Sequence, residues 1–148
     1  MCDEVISYGR LICCDCEKKV SVIREPLCKR CGKQLENERQ EFCSDCTRKK
    51  HNYIQGKAVF SYEKEMKLSM YRFKYANRRE YVEFYAEIAK EKYQNWMIYR
   101  KIEAIVPVPL YAGKKRKRGY NQAEIFAECL GKKCDIPVEK SLIKRVNR

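Results

Sequence analysis

Cysteines are the residues of this sequence whose type and spacing best suit them to chemistry. The chain has 148 residues, and 10 of them are cysteine. Three Cys-x-x-Cys pairs follow one another with 11 residues between each pair and the next: Cys13/Cys16, Cys28/Cys31 and Cys43/Cys46. One such turn points two thiolates at a single point, and two turns supply the four ligands of a tetrahedral structural zinc. The spacing therefore predicts zinc binding.

The equal gaps leave two partners open for the middle pair, Cys28/Cys31, since it can join either the pair before it or the pair after it. Gly32 follows Cys31 directly, which is typical of a metal knuckle whose backbone needs a positive φ. Cys2 lies one similar gap before Cys13 and resembles the second half of an earlier pair. Both features favour one intact ligand set and one set that lacks a ligand, where Cys14 or water completes the shell. The intact set is Cys28, Cys31, Cys43 and Cys46, and the incomplete set is Cys2, Cys13 and Cys16.

Disulfide bonds and thioredoxin-like redox chemistry are the rival interpretations of these cysteines. A disulfide framework needs an oxidising compartment, and the N-terminal residues do not resemble a signal peptide, so we expect a cytoplasmic protein. A redox site needs one Cys-x-x-Cys at a helix start rather than three pairs in polar segments. His51 lies close enough to Cys46 to be a ligand, but four cysteines leave it no vacancy. Cys129 and Cys134 lie among apolar residues and are predicted to be buried thiols.

Basic residues form the second group whose type and spacing could support a chemical function. The formal net charge is +13, and five consecutive cations stand between two glycines: Lys114, Lys115, Arg116, Lys117 and Arg118. This run can neutralise a phosphate ligand or a nucleic-acid backbone, and Arg118 is the best candidate because guanidinium grips phosphate with two hydrogen bonds. A solvated basic loop is the simpler alternative. Net charge alone supports only non-specific affinity for phosphate.

A second basic stretch alternates cations with aromatic residues. Arg72, Lys74, Arg78 and Arg79 are interleaved with Tyr71, Phe73 and Tyr75. Aromatic side chains among cations stack on the bases of single-stranded nucleic acids, which makes single-stranded DNA a candidate partner. The same aromatic residues also follow a helical spacing, which favours a role in the core.

The elements that position these residues follow from hydrophobic patterning. Helices are predicted at Glu63–Tyr75 and Glu80–Tyr93, and a third helix follows Asn121, which with Glu124 fits a capping box. Short strands are predicted at Gly56–Tyr62, Ile102–Leu110 and Ile136–Ile143. The order strand, basic loop, helix, strand predicts a βαβ unit and therefore an α/β fold with a parallel sheet. With 45% hydrophobic residues the chain is no disordered tail, and it lacks the apolar run of ~20 residues that membrane insertion needs.

Several of these segments together resemble the ComF family of competence proteins and its GntX-like members. They are the regularly spaced Cys-x-x-Cys pairs, Phe73-Lys74-Tyr75, Val106-Pro107-Val108-Pro109-Leu110 and Arg116-Lys117-Arg118-Gly119-Tyr120-Asn121-Gln122-Ala123-Glu124. The resemblance implies an N-terminal double zinc ribbon at 1–50, with an incomplete first ribbon. It also implies the first part of a type I phosphoribosyltransferase-like domain at 51–148. DNA uptake, and proteins of the competence machinery as partners, follow from the same resemblance.

The resemblance also implies a motif that this chain lacks. Members of the family hold phosphoribosyl diphosphate, with Mg²⁺, through two acidic residues and a Thr-Thr-Gly turn after a later strand. The only threonine here is Thr47, within the cysteine-rich segment. We therefore expect a truncated, inactive member of the family with no catalytic residues. A non-enzymatic zinc protein that binds nucleic acid is the alternative function.

Overall fold

A computed structural model describes residue 2 and residues 4–146, and the chain divides into two compact units. One unit is Asp15–Lys67, and the other combines Met1–Cys14 with Leu68–Arg148. Helices are the main regular structure of the described residues, and the only β pairing among them is three isolated bridges. The helices are α1 (Cys14–Lys19), α2 (Ser44–Arg48), α3 (Lys64–Tyr75), α4 (Tyr81–Tyr99), α5 (Ala112–Arg118) and α6 (Gln122–Cys134).

The unit Asp15–Lys67 is organised around its cysteines. A tight turn follows Cys28, in which Cys28 N–H donates to the carbonyl of Lys33 and Gly32 N–H donates to the carbonyl of Cys28. An antiparallel bridge between Leu27 and Gln34 closes this turn. The buried cluster of the unit consists of cysteines and a single leucine, namely Cys28, Leu35, Cys43 and Cys46, with Cys31 packed against it. So small a core needs an additional source of stability, which a metal ion supplies in domains of this kind.

The other unit has a hydrophobic core built mainly from α4 and α6. These two helices pack against each other, and their inward faces bury residues such as Phe84, Tyr85, Ala127 and Leu130. Phe73 of α3 packs edge-on against Tyr85, with ring centroids 5.5 Å apart. The three predicted helices are thus present, although α4 continues to Tyr99, and Asn121 caps α6 by accepting a hydrogen bond from Ala123 N–H. Glu124 carries its carboxylate toward Lys115 and Lys140 instead of completing the capping box.

The predicted α/β fold with a parallel sheet, and with it the incomplete type I phosphoribosyltransferase-like domain, was wrong. The segment Ile102–Leu110, which was predicted to be a strand, forms a single parallel bridge, between Ile105 and Val138, and no strand occurs in the described residues. Ile105 N–H donates to Pro137 O (2.8 Å) and Ile105 O accepts from Glu139 N–H (3.0 Å). Pro107 and Pro109 have no N–H to extend this ladder. The chain therefore passes this point as an extended segment with one bridge.

The predicted basic loop is also different in the structure, because the run of cations forms helix α5. Gly119 ends the helix in the left-handed region (φ 78°), and its N–H donates to the carbonyl of Lys115. Glycine adopts this conformation without the steric cost that a side chain would impose. The predicted strand Gly56–Tyr62 likewise forms only an isolated antiparallel bridge, between Phe60 and Val22.

Candidate metal centre and basic helix

Four thiols converge in the unit Asp15–Lys67. The sulfur atoms of Cys28, Cys31, Cys43 and Cys46 all lie within 4.8 Å of one another, and we call this set the thiol cluster. A tetrahedral zinc with Zn–S bonds of about 2.3 Å places its sulfurs about 3.8 Å apart. The Sγ atoms of Cys31 and Cys43 are 3.7 Å apart. The spacing and the all-sulfur donor set of the thiol cluster therefore fit a structural Zn²⁺.

Local backbone structure brings the two halves of the thiol cluster together. Cys28 and Cys31 lie on the tight turn closed by Gly32, and Cys43 and Cys46 lie at the start of α2 and within it. Cys43 N–H donates to the sulfur of Cys28 (3.3 Å), which links the turn to the helix start. Gly32 has φ 73°, and a Cβ atom at this position would lie 2.7 Å from Ala58 N. The turn therefore requires glycine both for its backbone conformation and for the close passage of the segment around Ala58.

The ionisation of these thiols favours binding of a cation. Burial raises the pKa of Cys28, but backbone hydrogen bonds from Cys31, Cys43 and Arg30 outweigh it and lower that pKa to about 6. Burial raises the pKa of Cys31, and burial together with the neighbouring thiols raises the pKa of Cys46 to about 12. Cys28 therefore loses its proton readily, whereas the raised pKa values of Cys31 and Cys46 oppose the formation of further thiolates in the cluster. A bound divalent cation overcomes this effect because it stabilises every thiolate that it coordinates.

His51 lies beside the thiol cluster rather than within it. Its Nε2 is 3.6 Å from the sulfur of Cys46, and its ring lies against Tyr53, with centroids 5.0 Å apart. Because four cysteines already supply a complete tetrahedral set, this contact suits an N–H to sulfur hydrogen bond at the edge of the site.

The second predicted ligand set divides between the two units. Cys2 and Cys13 belong to one unit, with their sulfur atoms 3.4 Å apart, and both are half-buried. Cys16 lies on α1 in the other unit, so its assignment as a ligand continues to rest on the cysteine spacing. Cys14, the alternative fourth ligand, is exposed. Of the two cysteines predicted to be buried thiols, Cys129 is buried and Cys134 is half-buried.

The predicted phosphate-binding residues occupy the basic helix α5. Lys114, Lys115, Arg116 and Lys117 are exposed, and Arg118 is half-buried. Lys115 forms an ion pair with Glu124, with Nζ 3.4 Å from the carboxylate. Arg118 instead donates hydrogen bonds to Tyr75 Oη (2.9 Å) and Gln122 Oε1 (3.0 Å). Four side chains of the run thus face solvent, while the fifth is held against the protein.

The aromatic residues predicted to stack on bases separate into two groups. Phe73 is buried in the core, so it is unavailable to a ligand. Tyr71 and Tyr75 are both more than half exposed, and their rings lie 5.1 Å apart. Gln122 was not identified from the sequence as a hydrogen-bond partner of Arg118. The only sequence feature that could have indicated this contact is the position of Gln122 four residues after Arg118, across the turn at Gly119.

Comparison with known proteins identifies related sequences. Residues 1–47 match the family model described as "Double zinc ribbon domain". The chain is 48% identical over 44 residues to "Competence protein F" of Haemophilus influenzae, which covers 30% of this chain and 19% of that protein. It is 31% identical over 94 residues to "Competence protein ComFC" of Bacillus subtilis, which covers 63% of this chain and 37% of that protein.

These matches support a ComF-family assignment for the chain. They confirm the resemblance seen in the sequence, and the double zinc ribbon match together with the thiol cluster supports structural zinc. The chain spans well under half the length of these two curated relatives. No solved structure matches it. None of its helices in the described residues combines the length and apolar composition needed to cross a membrane.

Proposed function

We propose that this chain is a non-enzymatic zinc protein of natural competence that binds single-stranded DNA. The observation that carries the proposal is the thiol cluster, which lies within a segment matching a double zinc ribbon in a chain related to two competence proteins. Other proteins of the competence machinery are its proposed protein partners. The work of the zinc is structural, because four sulfur ligands leave no open coordination position for catalysis.

The proposed ligands of the zinc ions follow the cysteine pairs. Cys28, Cys31, Cys43 and Cys46 hold one Zn²⁺, and the fit of their sulfur spacing supports this assignment. The cysteine spacing and the double zinc ribbon match support a second ion at Cys2, Cys13 and Cys16. Zinc adds stability to the unit Asp15–Lys67 at its small buried cluster, since binding of the metal contributes directly to folding.

The proposed DNA-binding surface is the basic helix α5 with the neighbouring aromatic residues. The exposed cations of α5 attract the phosphates of a nucleic acid, and the net charge of +13 adds a long-range attraction. Tyr71 and Tyr75 provide exposed rings on which unpaired bases stack. A single strand suits this surface because its bases are free to reach the rings.

Fluorescence anisotropy with labelled oligo(dT) tests this function. We expect binding that weakens steeply as salt rises, because cations on the protein displace counterions from the phosphates. A variant with Lys114, Lys115, Arg116 and Lys117 all changed to alanine is expected to bind at least ~10-fold more weakly. The matched control changes the exposed residues Lys18, Lys19, Lys49 and Lys50 to alanine, which removes the same charge elsewhere. Equal affinity for the first variant and the wild type would refute the role of α5.

Phosphoribosyl diphosphate provides a test against the enzymatic role that the full family implies. We expect no measurable heat when phosphoribosyl diphosphate and Mg²⁺ are titrated into this chain. The only threonine, Thr47, donates its hydroxyl hydrogen bond to the carbonyl of Cys43 (2.8 Å) and is part of the cysteine-rich unit. Tight binding in this calorimetric titration would show that the chain binds the compound through other residues.

A further inference from the structure

Two arginines neighbour Gly119, between α5 and α6: Arg118 precedes it in the sequence, and Arg79 lies close to it in space. Arg118, the last residue of α5, lies with its guanidinium carbon 4.6 Å from the centroid of the Tyr75 ring. The same guanidinium donates to Tyr75 Oη and to Gln122 Oε1. Three contacts thus hold Arg118 in one orientation, whereas the four cations before it in α5 are exposed.

Arg79 approaches the same glycine from the turn between α3 and α4. Its guanidinium carbon lies 4.3 Å from the centroid of the Tyr120 ring, and its Nε donates to Asn77 Oδ1 (2.8 Å). A Cβ atom placed on Gly119 would lie 3.5 Å from Arg79 Nη2. Arg79 therefore lies against the residue that directly follows Arg118.

The aromatic rings that contact the two arginines differ in burial. Tyr120 is buried, and its hydroxyl donates a hydrogen bond to the carbonyl of Phe73 in the core. Tyr75 is the last residue of α3, the helix that carries Phe73. Contacts with these rings restrict the arginine side chains, which reduces the entropy that they lose when they bind a ligand.

The charge of these two guanidinium groups is not neutralised within the described residues. Their partners there are tyrosine rings, a tyrosine hydroxyl and amide oxygens, and neither group forms an ion pair with a carboxylate. Neighbouring cations differ in this respect, since Arg78 pairs with Glu80 and Lys115 pairs with Glu124. Two oriented, uncompensated guanidinium groups carried by residues next to Gly119 are suited to an anion.

We propose that Arg79 and Arg118 form a phosphate-binding site at Gly119, and that this site holds one phosphodiester of a bound single strand. That the phosphate belongs to single-stranded DNA rests on the proposed function, whereas the binding of phosphate itself rests on the two arginines. Guanidinium donates two parallel hydrogen bonds to phosphate oxygens, so two such groups enclose one phosphate.

Two double variants of equal charge test the site in the full zinc-loaded chain. We expect R79A/R118A to bind oligo(dT) at least ~10-fold more weakly than R39A/R100A, which removes two exposed arginines outside the proposed DNA-binding surface. We also expect its log–log salt slope to fall by about 0.7 because one phosphate contact is lost. R79K/R118K keeps the positive charges but removes the planar guanidinium groups that donate paired hydrogen bonds. Its affinity should therefore lie closer to that of R79A/R118A than to that of the wild type. Equal affinities for the two alanine double variants would overturn the proposal.

A measurement on the wild-type chain separates this site from the proposed function. Inorganic phosphate is titrated while the Nε–H resonances of the arginines are followed by NMR, and those of Arg79 and Arg118 should shift more than that of Arg116. If they shift while the chain binds no oligo(dT), the phosphate site stands and the proposed function fails. If oligo(dT) binds and these resonances do not move with either probe, the proposed function stands and the site is refuted.

Discussion

At the residue scale, the thiol cluster depends on the complete set of four sulfur ligands. We expect Cys46→Ser to lower the zinc content by about one ion per chain, because a serine hydroxyl is a poor zinc ligand and the remaining thiols lose their tetrahedral partner. Metal analysis by mass spectrometry measures this directly. Cys134→Ser, which changes a half-buried cysteine far from the cluster in sequence, is the matched control and should leave the zinc content unchanged.

Gly32 provides a second prediction at this scale. Gly32→Ala places a side chain at φ 73° and 2.7 Å from Ala58 N, so we expect it to destabilise the cysteine-rich unit by more than the ~1–2 kcal/mol of the left-handed conformation alone. Hydrogen exchange of residues 27–48 measures the loss. Gly9→Ala is the control, since Gly9 has φ 83° but a Cβ there would meet nothing within 4 Å. Similar effects of the two substitutions in their own units would contradict the role of the close packing at Gly32.

At the element scale, an ion pair joins α4 to α6. Lys133 of α6 lies 2.5 Å from the carboxylate of Glu87 and 3.3 Å from that of Glu83, both on α4. The hydrogen bond from Lys133 lowers the pKa of Glu87 from its ordinary 4.5, and the same bond raises the pKa of Lys133 from its ordinary 10.5. The carboxylate therefore stabilises the fold above about pH 4.5, and this stability is lost as the pH falls through the lowered pKa. The lysine contributes fully below pH 10.5 and loses its contribution above the raised pKa.

We predict that Glu87→Gln lowers the free energy of unfolding near pH 7 by less than about 1 kcal/mol, because the pair is partly exposed to solvent. The difference from the wild type should shrink as the pH falls below 4, where the wild-type carboxyl is also protonated. Urea unfolding at several pH values measures this dependence. Glu91→Gln changes an exposed residue of the same helix and serves as the control. A difference between Glu87→Gln and the wild type that persists unchanged at pH 3 would exclude the ion pair as its cause.

The sequence predicted the helices correctly but wrongly predicted a sheet, and the reason lies in how each element is stabilised. The helical periodicity of α3 and the cap at Asn121 are local signals, and both predict elements that the structure contains. The apolar segment around Ile105 has the composition of a buried strand, but composition does not reveal its partners. Two prolines and a single bridge to Val138 leave it without a ladder. The cations of α5 have high helix propensity, which the glycines on either side obscured.

At the scale of the whole molecule, the two units have different sources of stability. The unit Asp15–Lys67 has a buried cluster of cysteines and one leucine, whereas the other unit buries the inward faces of α4 and α6. We predict that a strong chelator abolishes hydrogen-exchange protection around the thiol cluster and largely preserves it in α4 and α6. Most of the helical circular dichroism should remain for the same reason, since α1 and α2, the helices in the cysteine-rich segment, are short. Complete loss of protection in α4 and α6 on chelation would refute this division.

The sequence by itself determined the chemistry of the thiols and the position of the principal helices. Cysteine pairs at regular spacing and apolar residues at helical spacing are properties of neighbouring residues, so they are visible without a structure. Only the tertiary structure decided that the expected sheet is a single bridge, that the basic run is a helix, and that Arg79 lies close to Gly119. Each of these depends on segments distant along the chain, because backbone pairing and side-chain stacking need partners whose positions local patterns do not specify.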